Sequence, residues 1–315
     1  MSNEFDLIAR IRARAVGPDP SVVVDIGDDA ALFLPEPGRA LVATTDSLIL
    51  DRHFRADWAP ADIGHLALAV NLSDLAAMAA RPRWALLALT LPRADEAWLE
   101  GFLDGFLALA ARTGTRLIGG NLAAGPLNIG VQLLGDVEPQ RALRRATTRP
   151  GQLLAVTGTL GDAAGALALA ERAPAALRRR LTRPEPRLDA AACLAGRARS
   201  MIDISDGLLA DLAHLLGPGQ GAQLDVAALP TSPALQAAIP NTAQRWALQL
   251  GGGNDYELLW AIEPDELAAA QAALAAVGSE ATVIGRVRAD PGIDCIDREG
   301  RKIEINSDGW DHFDR

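Results

Sequence analysis

The stretch from Pro60 to Ala80, PADIGHLALAVNLSDLAAMAA, constrains this chain most, because it reads as a helix with no polar side. Pro60 suits a first helical turn, where its missing N–H is no loss. With Ile63 at zero and about 100° per residue, Ala67, Val70, Asp74 and Met78 fall near roughly 40, 340, 20 and 60°. Leu68, Leu72 and Leu75 cover the other sides. Such a helix has to be enclosed, so the fold must wrap a sheet and further helices around it. It also carries Asp74 in the middle of an apolar stripe. An unpaired buried carboxylate is very unfavourable, so Asp74 calls for a proton, an arginine such as Arg52 or Arg55, or a metal ion.

The surrounding pattern supplies the wrapping. Residues 4–14 read as a short amphipathic helix, and SVVVD, ALFL, ALVATTD, WALLALTL and LNIGVQLLG read as strands, with a second helix over Asp95–Arg112. At RRATTRPG the composition turns to Arg, Thr, Pro and Gly, and a new series begins with the strand QLLAVTG, a helix from Gly161 and the Arg/Pro-rich linker RRRLTRPEPR. The expectation is a mixed α/β protein of two domains, residues 1–148 and 149–315. A length of 315 residues with 49% hydrophobic content is enough for two cores.

Composition excludes several function classes. No apolar run approaches the roughly 18 to 20 residues of a membrane helix, and MSNEFDLIARIRAR lacks the apolar core of a secretory signal, so a cytoplasmic protein is expected. A net charge of −10 argues against nucleic acid or an anionic membrane as partner, and any anionic ligand needs cations to mediate. Lys302 is the only lysine among 30 basic residues, so no GK[ST] phosphate loop is possible. GxGxxG, GxSxG and HExxH are also absent. Cys193 and Cys295 have no metal or redox spacing and read as buried thiols.

Carboxylates recur where they are costly. IGDDAALF sets Asp28 and Asp29 between a glycine and an apolar strand, just after Asp25, and TTDS ends a β-branched strand with Thr44, Thr45, Asp46 and Ser47. Each alone reads equally well as a solvated turn or strand end. In MIDISDGLLADLAHLL, a short strand carries Asp203, and Ser205-Asp206-Gly207 opens a helix. Ser205 is expected as its N-cap, with Asp206 at the positive helix end; the same N–H groups could instead hold a phosphate whose magnesium the carboxylates bind. If Asp29, Asp46, Asp74 and Asp203 converged, each pair about 4 Å apart would repel by roughly 4 kcal/mol at an effective dielectric near 20, tolerable only around cations. Oxygen donors without His or Cys select Mg²⁺ or Ca²⁺, and magnesium usually arrives with phosphates. LIGGNLAAG then offers two glycines, Gly119 and Gly120, where backbone can approach a phosphate.

In order along the chain, EFDLIARI, IGDDAALF, TTDSL, LALAVNLSDLAAMAARP, the GG turn, RALRRA, PGQLLAVTGTLGDAAGAL, RPEPR, IDISDGLLADLAHL, GGGNDYELL and GWDHF resemble the thiamine-monophosphate kinase family, of the superfamily shared with aminoimidazole ribonucleotide synthetase and selenophosphate synthetase. The resemblance implies ATP- and Mg²⁺-dependent phosphorylation of thiamine monophosphate to thiamine diphosphate. It also implies an N-terminal mixed sheet that pairs with its copy in a homodimer, followed by a C-terminal α/β domain. Carried over by motif, Asp29, Thr44, Thr45, Asp46, Asp74, Asn121, Asp203 and Asp206 would hold metal. Gly120, Asn121, Arg145 and Ser205 would meet ATP, and His53, Asn254 and Trp310 would meet substrate. Asp46, Asp74 and Arg145 would carry the catalysis, with Arg145 in the role another fold gives to lysine.

Three positions depart from the family's pattern: Asn121 for the aspartate after GG, Asn254 for the glutamate of GGEDYE, and Leu66 where lysine is common. Two alternatives stay open at this point. One is a nucleotide-binding relative with a regulatory or interaction role, and the other is a kinase of another small phosphate.

Overall fold

The computed structural model describes residues 3–15 and 17–303. They form two compact units, one from the chain up to Leu75 with Ala80–Pro139, the other from Ala76–Ala79 with the chain from Gln140 onward. In the first unit the elements are α1 (Glu4–Ala15), β1 (Val22–Val24), β2 (Leu32–Phe33), β3 (Ala40–Ile49), α2 (Pro60–Ala77), β4 (Arg81–Leu91), α3 (Glu96–Thr113), β5 (Arg116–Ala124) and β6 (Asn128–Val137).

Four strands make its main sheet, in the order β3-β6-β4-β5, with β4 and β5 parallel and the other pairs antiparallel. The enclosure expected of the apolar helix is met: Ile63, Leu66, Leu68, Leu72 and Leu75 of α2 are all buried. Helix α3 packs against α2 with almost no side chain between them, since a Cβ at Gly64 would meet the Phe102 carbonyl and one at Gly105 the Ala61 carbonyl. Asp95 caps α3 by accepting the Trp98 N–H at 3.0 Å, and Gly114 ends it at φ +68°. One end of the other sheet face is covered by the β1–β2 segment, where Phe33 lies 4.5 Å from the Trp84 ring and Ser21 accepts the Trp84 Nε1–H at 3.2 Å. Elsewhere the edge strand β3 leaves Leu41 and Ile49 exposed.

The second unit runs β7 (Leu153–Thr157), α4 (Asp162–Leu169), α5 (Ala175–Thr182), α6 (Leu188–Leu194), β8 (Ser200–Asp203), α7 (Leu208–Leu215), β9 (Gly221–Asp225), α8 (Pro233–Ala238), α9 (Thr242–Gly251), β10 (Leu258–Ile262), α10 (Leu267–Ala276), β11 (Ala281–Arg288) and β12 (Gly292–Ile296). Its sheet has the order β12-β9-β11-β7-β10-β8, antiparallel except for the β12–β9 pair. Both faces are covered. Leu154, Val156, Ile202 and Leu259 pack with Leu208, Leu212 and Leu250 on one side, while Ala155, Met201 and Trp260 pack with Leu194 and Leu274 on the other. That is why every residue of β10 is buried and the strand has no polar alternation.

Two expectations need correction. The Arg-rich segment is only partly a linker: Leu177 and Leu181, four apart and both buried, make its first half the end of α5. Cys295 is a buried thiol as expected, but Cys193 is only half-buried, and neither forms a disulfide. No helix among the described residues is long and apolar enough to cross a membrane.

Candidate active site

In the first unit, the strand β3 and helix α2 bring expected residues together. Thr44 and Asp46, two apart, lie on the same face of the pleat, half-buried, while Thr45 between them is exposed on the other. Thr44 Oγ1 donates to Asp74 Oδ2 of α2 at 2.5 Å, so the carboxylate in the apolar stripe meets a hydroxyl on the strand. Asp74 itself is half-buried, less enclosed than the helix stripe suggested. One turn earlier, the fully buried Asn71 donates to the Ala67 carbonyl at 3.1 Å, and its Oδ1 has no protein partner. Thr45 Oγ1 accepts from Gln132 at 3.3 Å on the opposite face, so its side chain points away from Asp46 and Asp74.

Asp29 stands exposed in the loop after β1, and Asp28 accepts its N–H at 2.9 Å. Asp25, just upstream, is tied to Arg116 of β5 in an ion pair and is a structural residue. Asn121 is exposed on β5, level with Ala88 of β4 and, through it, with Gly130 of β6 and Ser47 of β3. It is three strand spacings, about 14 Å, from the β3 edge. Metal–oxygen bonds are about 2 Å, so Asn121 and Asp46 of one chain do not share an ion. Gly120 lies at φ +152°, and a Cβ there would meet the Leu87 carbonyl. The tight approach to β4 therefore demands glycine whatever else the position does. His53 accepts the Ile49 N–H on Nδ1 at 3.0 Å, which places the ring proton of the neutral imidazole on Nε2. Leu66 is buried in the α2 core.

In the second unit, Asp203 ends β8 almost fully buried, and the loop 204–207 joins it to α7. Ser205 is not the N-cap of α7. Gly207 holds that position at φ +115°, and no side chain caps the helix. Instead the carboxylate of Asp211, within α7, accepts the N–H groups of Ser205, Asp206 and Gly207 on Oδ2 at 3.0, 3.1 and 3.2 Å. The phosphate cradle anticipated at this helix start is already filled by an internal anion. Burial and the charge of Asp206 push Asp211 up to about 6, against the pull of the three N–H bonds. Sequence reasoning missed Asp211, although an acid one turn inside a helix that begins SDG was a legible sign.

The other side of this loop is held by residues 254–257. Asn254 N–H donates to the Ser205 carbonyl and Tyr256 N–H to the Ile204 carbonyl, both at 2.8 Å. The structure thus sets Ser205 and Asn254 side by side. Asn254 and Tyr256 both have left-handed backbone, at φ +66° and +50°. Asparagine tolerates that region far better than glutamate, so its presence has a backbone reason; Tyr256 Oη also lies 3.2 Å from Asn254 Oδ1. Below the loop, the fully buried Glu257 takes Arg187 Nε and Nη2 at 2.6 and 2.5 Å, Arg180 at 2.6 Å and the Thr157 hydroxyl at 2.6 Å. Neighbouring Asp255 accepts the Gly161 N–H, and burial pushes its carboxyl well above the usual range.

Arg145 is exposed on a pinned turn. The Arg144 carbonyl accepts from Ser200 Oγ at 2.7 Å, and the Ala146 N–H donates to the Leu215 carbonyl at 3.0 Å. The backbone on both sides is held while the guanidinium projects. Trp310 lies outside the described residues.

Among the described residues no three His, Cys, Asp or Glu side chains cluster as a metal cage. What is offered is hard oxygen donors in small sets: Thr44, Asp46 and Asp74 in one unit, Asp203 and Asp206 in the other. That fits magnesium, which takes one or two carboxylates and fills its remaining positions with water and phosphate oxygens, and it does not fit a closed protein cage.

Residues 27–137 match the family model of the AIR synthase related protein N-terminal domain, and residues 149–298 that of the C-terminal domain. The chain is 42% identical to the thiamine-monophosphate kinase of Escherichia coli K12, covering 98% of both chains. The chain belongs to the thiamine-monophosphate kinase family. Among solved members, the thiamine-monophosphate kinase of Stenotrophomonas maltophilia K279a is similar at 41% identity and TM-score 0.87, over 95% of this chain and 98% of that one. AaThiL complexed with AMPPCP and TMP is similar at 31% identity and TM-score 0.77, over 98% and 97%. Family membership thus spans both units.

Proposed function

We propose that the chain transfers the γ-phosphoryl group of ATP to the phosphate of thiamine monophosphate, forming ADP and thiamine diphosphate with Mg²⁺ as the required cation. The observation that carries this reading is the 2.8 Å hydrogen bond from the Asn254 N–H to the Ser205 carbonyl. It joins the expected acceptor residue to the expected nucleotide residue, on the loop that carries Asp206 and follows Asp203 at the end of β8. The relative solved with AMPPCP and TMP supports the same pair of ligands.

No side-chain nucleophile is required, since the acceptor phosphate oxygen is already an anion and the transferring group needs mainly alignment and charge compensation. Arg145, projecting from its held turn, pairs with phosphate oxygens as a fixed planar fork. His53 offers the Nε2 proton, and Asn254 its side-chain amide, to the acceptor. Within the first unit Thr44, Asp46 and Asp74 would hold magnesium, with Asp29 contributing from its loop, and within the second unit Asp203 and Asp206 would do so. Thr45, whose side chain turns to the other face, would contribute little to the first unit's set, and Asn121, with Gly120 beside the nucleotide, would offer its amide oxygen to a cation apart from Asp46. Magnesium, when bound, neutralises the phosphate oxygens of both reactants. Trp310 would cover the cationic ring of the acceptor. The first unit's exposed sheet face is the homodimer surface, and ATP as co-substrate places the work in the cytoplasm.

The test is purified protein with ATP, Mg²⁺ and thiamine monophosphate, with thiamine diphosphate followed by chromatography. Product is expected only when all three are present. ADP release that depends on a different phosphate acceptor, with no thiamine diphosphate, would overturn the assignment of substrate.

A further inference from the structure

A helix start whose first N–H groups converge is an anion site, and a nucleotide phosphate is its usual occupant. At α7 the three converging N–H groups, of Ser205, Asp206 and Gly207, end instead on one oxygen of Asp211. Asp211 is only 3% exposed, so the carboxylate sits inside the nest and closes it from below. On its other side the loop is tied through the Ser205 and Ile204 carbonyls to the N–H groups of Asn254 and Tyr256. Gly207 leaves no slack: it lies at φ +115°, and a Cβ there would meet the Gly251 carbonyl at 2.9 Å.

We propose that Asp211 is a positioning residue that converts this helix start from a phosphate cradle into a cation-requiring loop. The inference rests on the phosphoryl-transfer reading above. By occupying the N–H groups, Asp211 removes the direct backbone grip on a phosphate. By adding a second negative charge behind Asp206, it makes a bare polyphosphate unwelcome and a magnesium complex welcome. By clamping residues 205–207, it holds the Asp206 side chain and the Ser205 carbonyl in fixed register with Asn254. A loop that grips phosphate through its own N–H groups could bind nucleotide without metal; this one is built to bind it through metal.

The experiment compares Asp211→Asn and Asp211→Ala with the wild-type chain. ADP affinity is measured by calorimetry with Mg²⁺ and in chelator, and the exchange of the 205–207 amides is followed by NMR or mass spectrometry. In Asp211→Asn the ADP affinity in chelator rises, while the gain on adding Mg²⁺ shrinks about tenfold. In turnover the half-saturating Mg²⁺ concentration rises by a similar factor, more in Asp211→Ala, with Asn recovering part of the loss. A residue that only supports the fold would lower the melting temperature without raising the metal-free affinity or shrinking the gain on adding Mg²⁺, and that result overturns the proposal. If Asp211→Ala fails to fold, the wild-type chain and Asp211→Asn decide. Protected amides at 206 and 207 in the wild type, exchanging much faster in Asp211→Ala and only slightly faster in Asp211→Asn, which keeps an acceptor oxygen, support the clamp, and fast exchange in the wild type overturns it. A wild-type chain that makes no thiamine diphosphate would sink the functional reading alone, since calorimetry and exchange need no acceptor.

Discussion

Asp136 shows how strongly a single side chain can be committed. It is 1% exposed, with Arg39 on Oδ1 at 2.5 Å and Arg81 and Arg83 on Oδ2 at 3.0 and 3.3 Å. Burial pushes its carboxyl up, but the hydrogen bonds and charges of Arg81 and Arg39 outweigh that and hold it below the usual range. A depressed carboxyl contributes stability that is full above its unfolded pKa and is lost as pH falls through the folded one. Asp136→Asn is therefore expected to destabilise by about 2 to 3 kcal/mol at pH 7, less than a fully buried pair because the arginines keep contact with water. The gap to the wild type should close only below about pH 4, in denaturant titrations run across pH. Nothing in the sequence around Asp136 signals this knot, since Arg39, Arg81 and Arg83 reach it from other segments. Asn254, by contrast, was visible as a departure, but its meaning was not: only the left-handed backbone shows why an amide suits the position.

At the scale of elements, the pair α2 and α3 determines whether the first unit can close. Both are 18 residues long, and they meet backbone to backbone at Gly64 and Gly105. Gly105→Ala would drive a methyl into the Ala61 carbonyl, so the helices must part. Overpacking of this kind costs about 1 to 3 kcal/mol, read as a lower melting temperature with little change in the second unit's unfolding. The helices themselves were legible because their apolar residues recur at 3.6 spacing and their ends carry Pro60, Asp95 and Gly114. The contact between them was not, because two glycines in separate helices have no local mark of being partners. Helix α5 was misjudged for a related reason: its arginines dominate the composition, and only burial of Leu177 and Leu181 shows the stripe.

For the whole molecule, the open face of the four-stranded sheet is the surface that most needs explaining. On it Leu41 and Ile49 of β3 are 50 and 45% exposed, and Val23, Leu32 and Leu34 of the separate β1–β2 segment are 54 to 59% exposed. Burial of such a patch against a second copy stabilises by roughly 25 cal/mol per Å² of apolar surface removed from water. The wild-type chain is expected to sediment as a dimer, and Leu41→Glu with Ile49→Glu as a monomer. A wild-type monomer at micromolar concentration would contradict the homodimer, and an unshifted dimer in the double variant would move its interface elsewhere.

The sequence by itself determined the element types, the two α/β series and the family, because periodicity, caps and motif order are local and survive without coordinates. It also marked the carboxylates as costly, since burial of charge can be inferred from a helical stripe. Tertiary structure decided which of them meet. Thr44 reaches Asp74 because its face of β3 is turned toward α2; Thr45 is turned away by the pleat, and Asn121 is set a sheet's width from Asp46. It also decided that the start of α7 is filled by Asp211, a hydrogen-bond outcome settled by side-chain reach rather than by residue order. Whether a polar group is a ligand, a cap or a clamp depends on which donors lie within about 3 Å of it, and that distance is not written in the chain.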